Sequence, residues 1–137
     1  MFLGEPLFPG NTSKNQLIRI MKLLGNPTKE DIKNMGKNLN PKLPDYPPRP
    51  FSSQFPKGTN PQVLDLLSKV LVYNPKARLT PLQALLHPYF DDLRAQKLTV
   101  NGKEIVDLFD FNTSELSTNP SLINQLVPNW YKSFKKQ

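Results

Sequence analysis

The stretch Asn60–Phe90, NPQVLDLLSKVLVYNPKARLTPLQALLHPYF, restricts the fold more than any other part of the chain. It predicts two helices joined by a short, tightly specified loop. Asn60 is a good helix N-cap, and Pro61 suits a first helical position that needs no backbone N–H. Val63, Leu64, Leu66, Leu67, Val70 and Leu71 then fall within an arc of about 160°, an apolar face with polar residues opposite. Asn74-Pro75 ends this helix, because proline disfavours the helical conformation in the residue before it. Thr80 begins the next helix: its hydroxyl caps, Pro81 is preorganised for the first turn, and Gln83 reaches back to the cap N–H. Ala84, Leu85 and Leu86 are expected to face inward, and His87-Pro88 ends the helix. Between the two lies Arg78, flanked by Leu71, Val72, Ala77 and Leu79. A guanidinium in apolar surroundings wants a carboxylate in fork geometry. The alternative is an exposed loop arginine.

The pattern LL..VL.YNP.AR.T..QAL.HPYF resembles the last conserved block of the eukaryotic protein kinase catalytic domain, in its C-terminal lobe. The segment Phe2–Ile32, FLGEPLFPGNTSKNQLIRIMKLLGNPTKEDI, resembles the end of the buried central helix, the next loop and the following helix of that lobe. The tail Phe90–Leu116, FDDLRAQKLTVNGKEIVDLFDFNTSEL, is similar to the glycogen synthase kinase-3 type, in the group that holds cyclin-dependent and MAP kinases. The resemblance covers residues 2–128. It implies a mainly α fold, the C-terminal part of the kinase large lobe, with helices joined by long proline-rich loops. It divides the chain into 1–90 (C-terminal subdomains of the catalytic domain), 91–128 (a C-terminal extension) and 129–137 (a basic tail). It implies a cytoplasmic or nuclear location.

A chain of 137 residues is long enough for one domain with a real core. Hydrophobic content of 37% is low for such a domain, and many of its 15 prolines lie between residues 41 and 61. No cysteine is present, which fits a reducing compartment and rules out disulfides and thiolate metal sites. No apolar run approaches membrane-spanning length, and the N-terminus does not read as a signal peptide. The net charge of +7 raises nucleic acid as a partner. The basic residues are scattered, apart from Lys132, Lys135 and Lys136, and aromatics are not interleaved with them as a stacking platform needs. A solvated basic surface is the simpler account.

Residues 1–10 are apolar and end in the turn Phe8-Pro9-Gly10. In the family this is the last turn of a helix already in progress, so the chain reads as the back portion of a longer protein. Residues 11–13 offer caps for a helix running to Leu24, with Gly25 as its stop. Its apolar residues Leu17, Ile18, Ile20, Met21, Leu23 and Leu24 cover an arc of roughly 220°, wider than packing on one surface needs. A shorter helix follows, capped by Thr28 with Asp31 three residues on, Ile32 and Met35 facing inward. Residues 36–59 read as a connection with little regular structure, anchored by Leu39, Leu43, Tyr46, Phe51 and Phe55. Further on, residues 91–97 finish a short helix. Asn101-Gly102 is a turn signal that leaves a small hairpin and an irregular loop both open. Asn112 caps a turn with Glu115, and Asn119-Pro120 starts a last helix through Leu126, packed by Leu122, Ile123 and Leu126. Residues 128–137 read as frayed, with Trp130 and Phe134 able to dock.

No catalytic constellation is legible. Phosphoryl transfer needs a glycine-rich cover, a lysine on the phosphates, a catalytic aspartate and metal ligands. The glycines at 4, 10, 25, 36, 58 and 102 form no G-x-G-x-x-G, and there is no H-R-D or A-P-E. Asp110-Phe111-Asn112 imitates D-F-G but lies too far along the chain and ends in asparagine. His87, the only histidine, precedes proline at a helix end and reads as a structural hydrogen-bonding residue. The chain by itself is expected to hold no catalytic residue, cofactor or metal; ATP and Mg belong to the parent domain that the resemblance implies. In that family the arginine matching Arg78 pairs with the glutamate that closes the activation segment, upstream of residue 1 here. Leaving such a charge buried and unpaired costs on the order of 3–5 kcal/mol. The resemblance also implies a partner groove between the first helix and the proline-rich loop, which in glycogen synthase kinase-3 receives amphipathic helices of scaffold proteins such as axin. The residues that carry over are Leu17, Ile18 and Met21 on the helix, with Leu39 and Leu43 on the loop. Lys14 stands where the family has an apolar residue, and Leu39 where it has an aromatic one. The expected partners are protein substrates of the parent kinase, scaffold helices in the groove, and the N-terminal part of the kinase domain. The other reading is a catalytically inert helical interaction module.

Overall fold

A computed structural model describes residues 3–36, 44–95, 99–104 and 108–134. The chain is mainly helical, as expected, and divides into two units, Met1–Arg78 and Leu79–Gln137.

The first unit holds three α-helices: α1 (Ser13–Leu24), α2 (Lys29–Met35) and α3 (Pro61–Val70). Each starts where a short polar side chain takes a backbone N–H that has no partner within the helix. Thr12 Oγ1 accepts from Asn15 N at 3.1 Å, Thr28 Oγ1 from Asp31 N at 3.1 Å, and Asn60 Oδ1 from Gln62 N at 2.8 Å. Asp31 returns a bond to the Thr28 N–H, completing a capping box. A 3-10 turn, Phe51–Gln54, packs on α3. The buried apolar side chains described in this unit are Met21, Leu23 and Val63. The anchors Tyr46, Phe51 and Phe55 are half-buried, as are Ile32 and Met35 on α2. On α3 only Val63 is buried; Leu64, Leu66, Leu67, Val70 and Leu71 remain half-exposed on the apolar face.

In the second unit, α4 (Pro81–Leu85) begins with a capping box: Gln83 N donates to Thr80 Oγ1 and Thr80 N to Gln83 Oε1. Its inward residue differs from expectation. Leu82 is buried at 4% exposure, whereas Leu85 is 38% exposed. Leu86 is half-buried. His87 then caps a 3-10 segment, Pro88–Arg94, its Nδ1 accepting from Tyr89 N at 3.3 Å. Strands β1 (Thr99–Val100) and β2 (Lys103–Glu104) form a two-residue antiparallel hairpin. Asn101 (φ 52°) and Gly102 (φ 74°) both take positive φ, the combination that a tight hairpin turn demands. Helix α5 (Thr113–Ser117) carries the Asn112–Glu115 capping box. The last predicted helix is a 3-10 turn, Pro120–Leu122, running into α6 (Ile123–Leu126), with Leu126 buried. The stretch read as frayed instead contains α7 (Asn129–Phe134). Trp130 anchors it: the indole Nε1 donates to the Arg94 carbonyl at 3.0 Å, and the ring meets Phe109 edge-on at 5.7 Å. Aromatic edge-to-face packing plus a satisfied N–H is what fixes this end.

Candidate functional site

The candidate site lies in the first unit, where the proline-rich segment returns to the C-terminal end of α1. Gly25 makes that return possible. It ends α1 at φ 79° and ψ −175°, its N–H bonded to the Met21 carbonyl at 2.9 Å. A Cβ at this position would stand 2.9 Å from Pro48 N. Asn26 then acts as a clip. Its N–H donates to the Tyr46 carbonyl at 3.1 Å, its Oδ1 accepts from Tyr46 N at 2.8 Å, and its Nδ2 donates to the Pro44 carbonyl at 3.2 Å. Arg49 N donates to the Leu23 carbonyl at 2.8 Å. The Leu23 carbonyl, in the last turn of α1 and without a helical partner, is thus used to hold the loop. At the other end of α1, Gln16 Nε2 donates to the Phe8 carbonyl at 3.4 Å. Gly10 permits that approach, since a Cβ there would fall 2.7 Å from Gln16 N.

Tyr73 completes the junction, its hydroxyl donating to the Gly25 carbonyl at 2.8 Å. Burial, and then the negative charge of Asp31, push its phenol up from the ordinary 10.0 to about 12. Both causes disfavour the phenolate. Because the folded value lies above the unfolded one, the contribution to stability is complete below pH 10 and is lost as the pH rises from 10 towards 12. For a half-buried group screened by solvent it amounts to about 1 kcal/mol. Absorbance titration of tyrosinate should show a phenol titrating near pH 12 that disappears in Tyr73→Phe. If that variant loses only signal at the ordinary tyrosine value, the assignment fails.

The expected groove residues occupy different environments. Leu17 and Ile18 are half-buried on α1. Met21 is 0% exposed, so it supports their face from within and has no surface to offer a partner. Leu39 and Leu43 lie outside the described residues. Arg78 is exposed, and its Nη2 donates to the Val72 carbonyl at 2.9 Å.

Sequence reasoning missed a cleft of about 130 Å3 between α1 and the returning segment. Leu7, Phe8 and Leu23 form its apolar side; Arg19, Lys22, Arg49 and Gln54 form its polar side. The signal available was the spacing of Arg19 and Lys22, three apart and hence on one face of a helix. Nothing local says that Arg49 comes back to join them. Among the described residues, no group of three or more His, Cys, Asp or Glu is placed to hold a metal ion. No described helix is long and apolar enough to cross a membrane.

No family model matches the chain. It is similar to a curated protein named glycogen synthase kinase 1 from Pyricularia oryzae, at 41% identity over 93% of the chain. The chain spans about a third of the length of that relative, 34%. Identity of that extent, on a mainly helical chain with two helices capped at Asn60 and Thr80, fits a C-terminal segment of a kinase of the glycogen synthase kinase type.

Proposed function

We propose that the chain serves as the C-terminal part of the large lobe of a serine/threonine protein kinase, where it supplies scaffold and a docking face for partner helices. The observation that carries this is the 41% identity across 93% of the chain to a named glycogen synthase kinase. The parent domain would transfer the γ-phosphoryl group of ATP to protein hydroxyls with Mg. The described residues of this chain do not fit either group, having no carboxylate cluster for a metal and no glycine-rich phosphate loop. In this reading nucleotide, metal and catalytic base are supplied by other parts of the parent domain. Arg78 supports the same reading: its exposed guanidinium is available to a carboxylate from the rest of the lobe.

The docking face is the Leu17–Ile18 surface of α1, with the proline-rich loop beside it and Leu39 and Leu43 as further contacts. A partner helix would lay an apolar stripe against these side chains. In a pulldown with an amphipathic scaffold helix, Leu17→Asp with Ile18→Asp should reduce capture by about tenfold or more, since two charges would sit on an apolar face. Capture unchanged in a variant with the parent's circular dichroism spectrum removes the docking reading. A radiolabelled-ATP assay on the 137-residue chain should show no turnover; turnover would overturn the assignment of the chemistry to other parts of the domain.

A further inference from the structure

We propose that the cleft between α1 and the returning segment is a binding site for a phosphate-type dianion. Three cations, Arg19, Lys22 and Arg49, line one small cavity with the amide side chain of Gln54, and no carboxylate lines it. Among the described residues none of the three pairs with an acid; Arg19 Nε donates to the neutral amide oxygen Asn15 Oδ1 at 3.3 Å. Gathering like charges is unfavourable unless something compensates them. The scaffold nevertheless fixes them together. Arg19 and Lys22 are one turn apart on α1, and the backbone N–H of Arg49 is tied to the Leu23 carbonyl at 2.8 Å.

The chemistry of the lining selects the ligand. Two guanidinium forks present paired N–H donors that match phosphoryl oxygens, and the Lys22 ammonium adds a point charge. The Gln54 amide offers one more donor. Leu7, Phe8 and Leu23 complete the lining with apolar side chains. A carboxylate carries a single charge and two acceptor oxygens, so it satisfies fewer of these donors than a phosphate monoester does. A small cleft suits one phosphoryl group; tracking a nucleic-acid backbone takes a stripe of cations. The site is independent of the Leu17–Ile18 docking face and of its partner.

The test uses calorimetric titration of the 137-residue chain at low salt with three probes: inorganic phosphate, a phosphoserine decapeptide with its unphosphorylated twin, and a single-stranded oligonucleotide. Saturable one-to-one binding of inorganic phosphate or the phosphopeptide is expected, weakened about tenfold in Arg49→Gln and again in Arg19→Gln. All three cations are exposed, so these variants should fold; circular dichroism checks it. Phosphopeptide binding tighter than phosphate identifies a protein-borne group as the source, and equal binding identifies the free ion. The proposal is overturned if neither phosphate probe binds, if the unphosphorylated peptide binds as well, if the substitutions leave affinity unchanged, or if the oligonucleotide binds tighter than both. The Leu17→Asp, Ile18→Asp variant should retain phosphate binding, which separates failure of this site from failure of the docking face.

Discussion

Gly25→Ala should destabilise the first unit by about 3 kcal/mol or more, the largest single-substitution effect expected in the chain. Two independent costs add. The backbone at φ 79° and ψ −175° lies in a region that is essentially reserved for glycine. The new methyl would also stand 2.9 Å from Pro48 N and 3.1 Å from Pro48 Cα, and backbone atoms cannot swing aside as a side-chain tip would. Relief requires the returning segment to back away, which breaks the Arg49–Leu23 and Asn26–Tyr46 hydrogen bonds. Hydrogen exchange should therefore report lost protection at the Asn26 and Arg49 amides together, alongside a lowered urea midpoint. An alanine variant with an unchanged midpoint would mean that the loop is not held as described.

Met21→Ala should cost about 2–4 kcal/mol, measured by chemical denaturation followed by circular dichroism. Among the described residues Met21 is the largest side chain with no exposure, so truncation removes its transfer energy and leaves a cavity behind. Leu17→Ala, on the half-buried part of the same helix, should cost markedly less. The ordering distinguishes a supporting side chain from a surface one. If Leu17→Ala proves the more damaging, the packing of α1 is the reverse of that described.

Local chemistry made the helix starts legible. Thr28 with Asp31, Thr80 with Gln83, and Asn112 with Glu115 each form the reciprocal pair that their three-residue spacing implies. The Asn101-Gly102 signal resolved to a hairpin because both residues accept positive φ. What escaped was everything that depends on distant segments meeting. Asn26 reads as a residue after a helix stop; its role appears only once Pro44 and Tyr46 arrive beside it. Arg49 likewise looks like one cation in a proline-rich run until it faces Arg19 and Lys22. Leu85 is expected inward but Leu82 is the buried residue, because a five-residue helix is too short for periodicity to fix its inward face. Trp130 ordered the tail through Arg94, a partner 36 positions away.

The Asn26 clip also sets where this protein tolerates change. Because residue 26 is bonded to residues 44 and 46, the stretch between them begins and ends at one fixed point. Lengthening such an excursion adds only a logarithmic entropy cost, about 0.6 kcal/mol per doubling. Both walls of the basic cleft lie outside that excursion. A change of length between residues 26 and 44 would therefore leave every residue that lines the basic cleft in place, so such a change by itself says little about what the cleft binds.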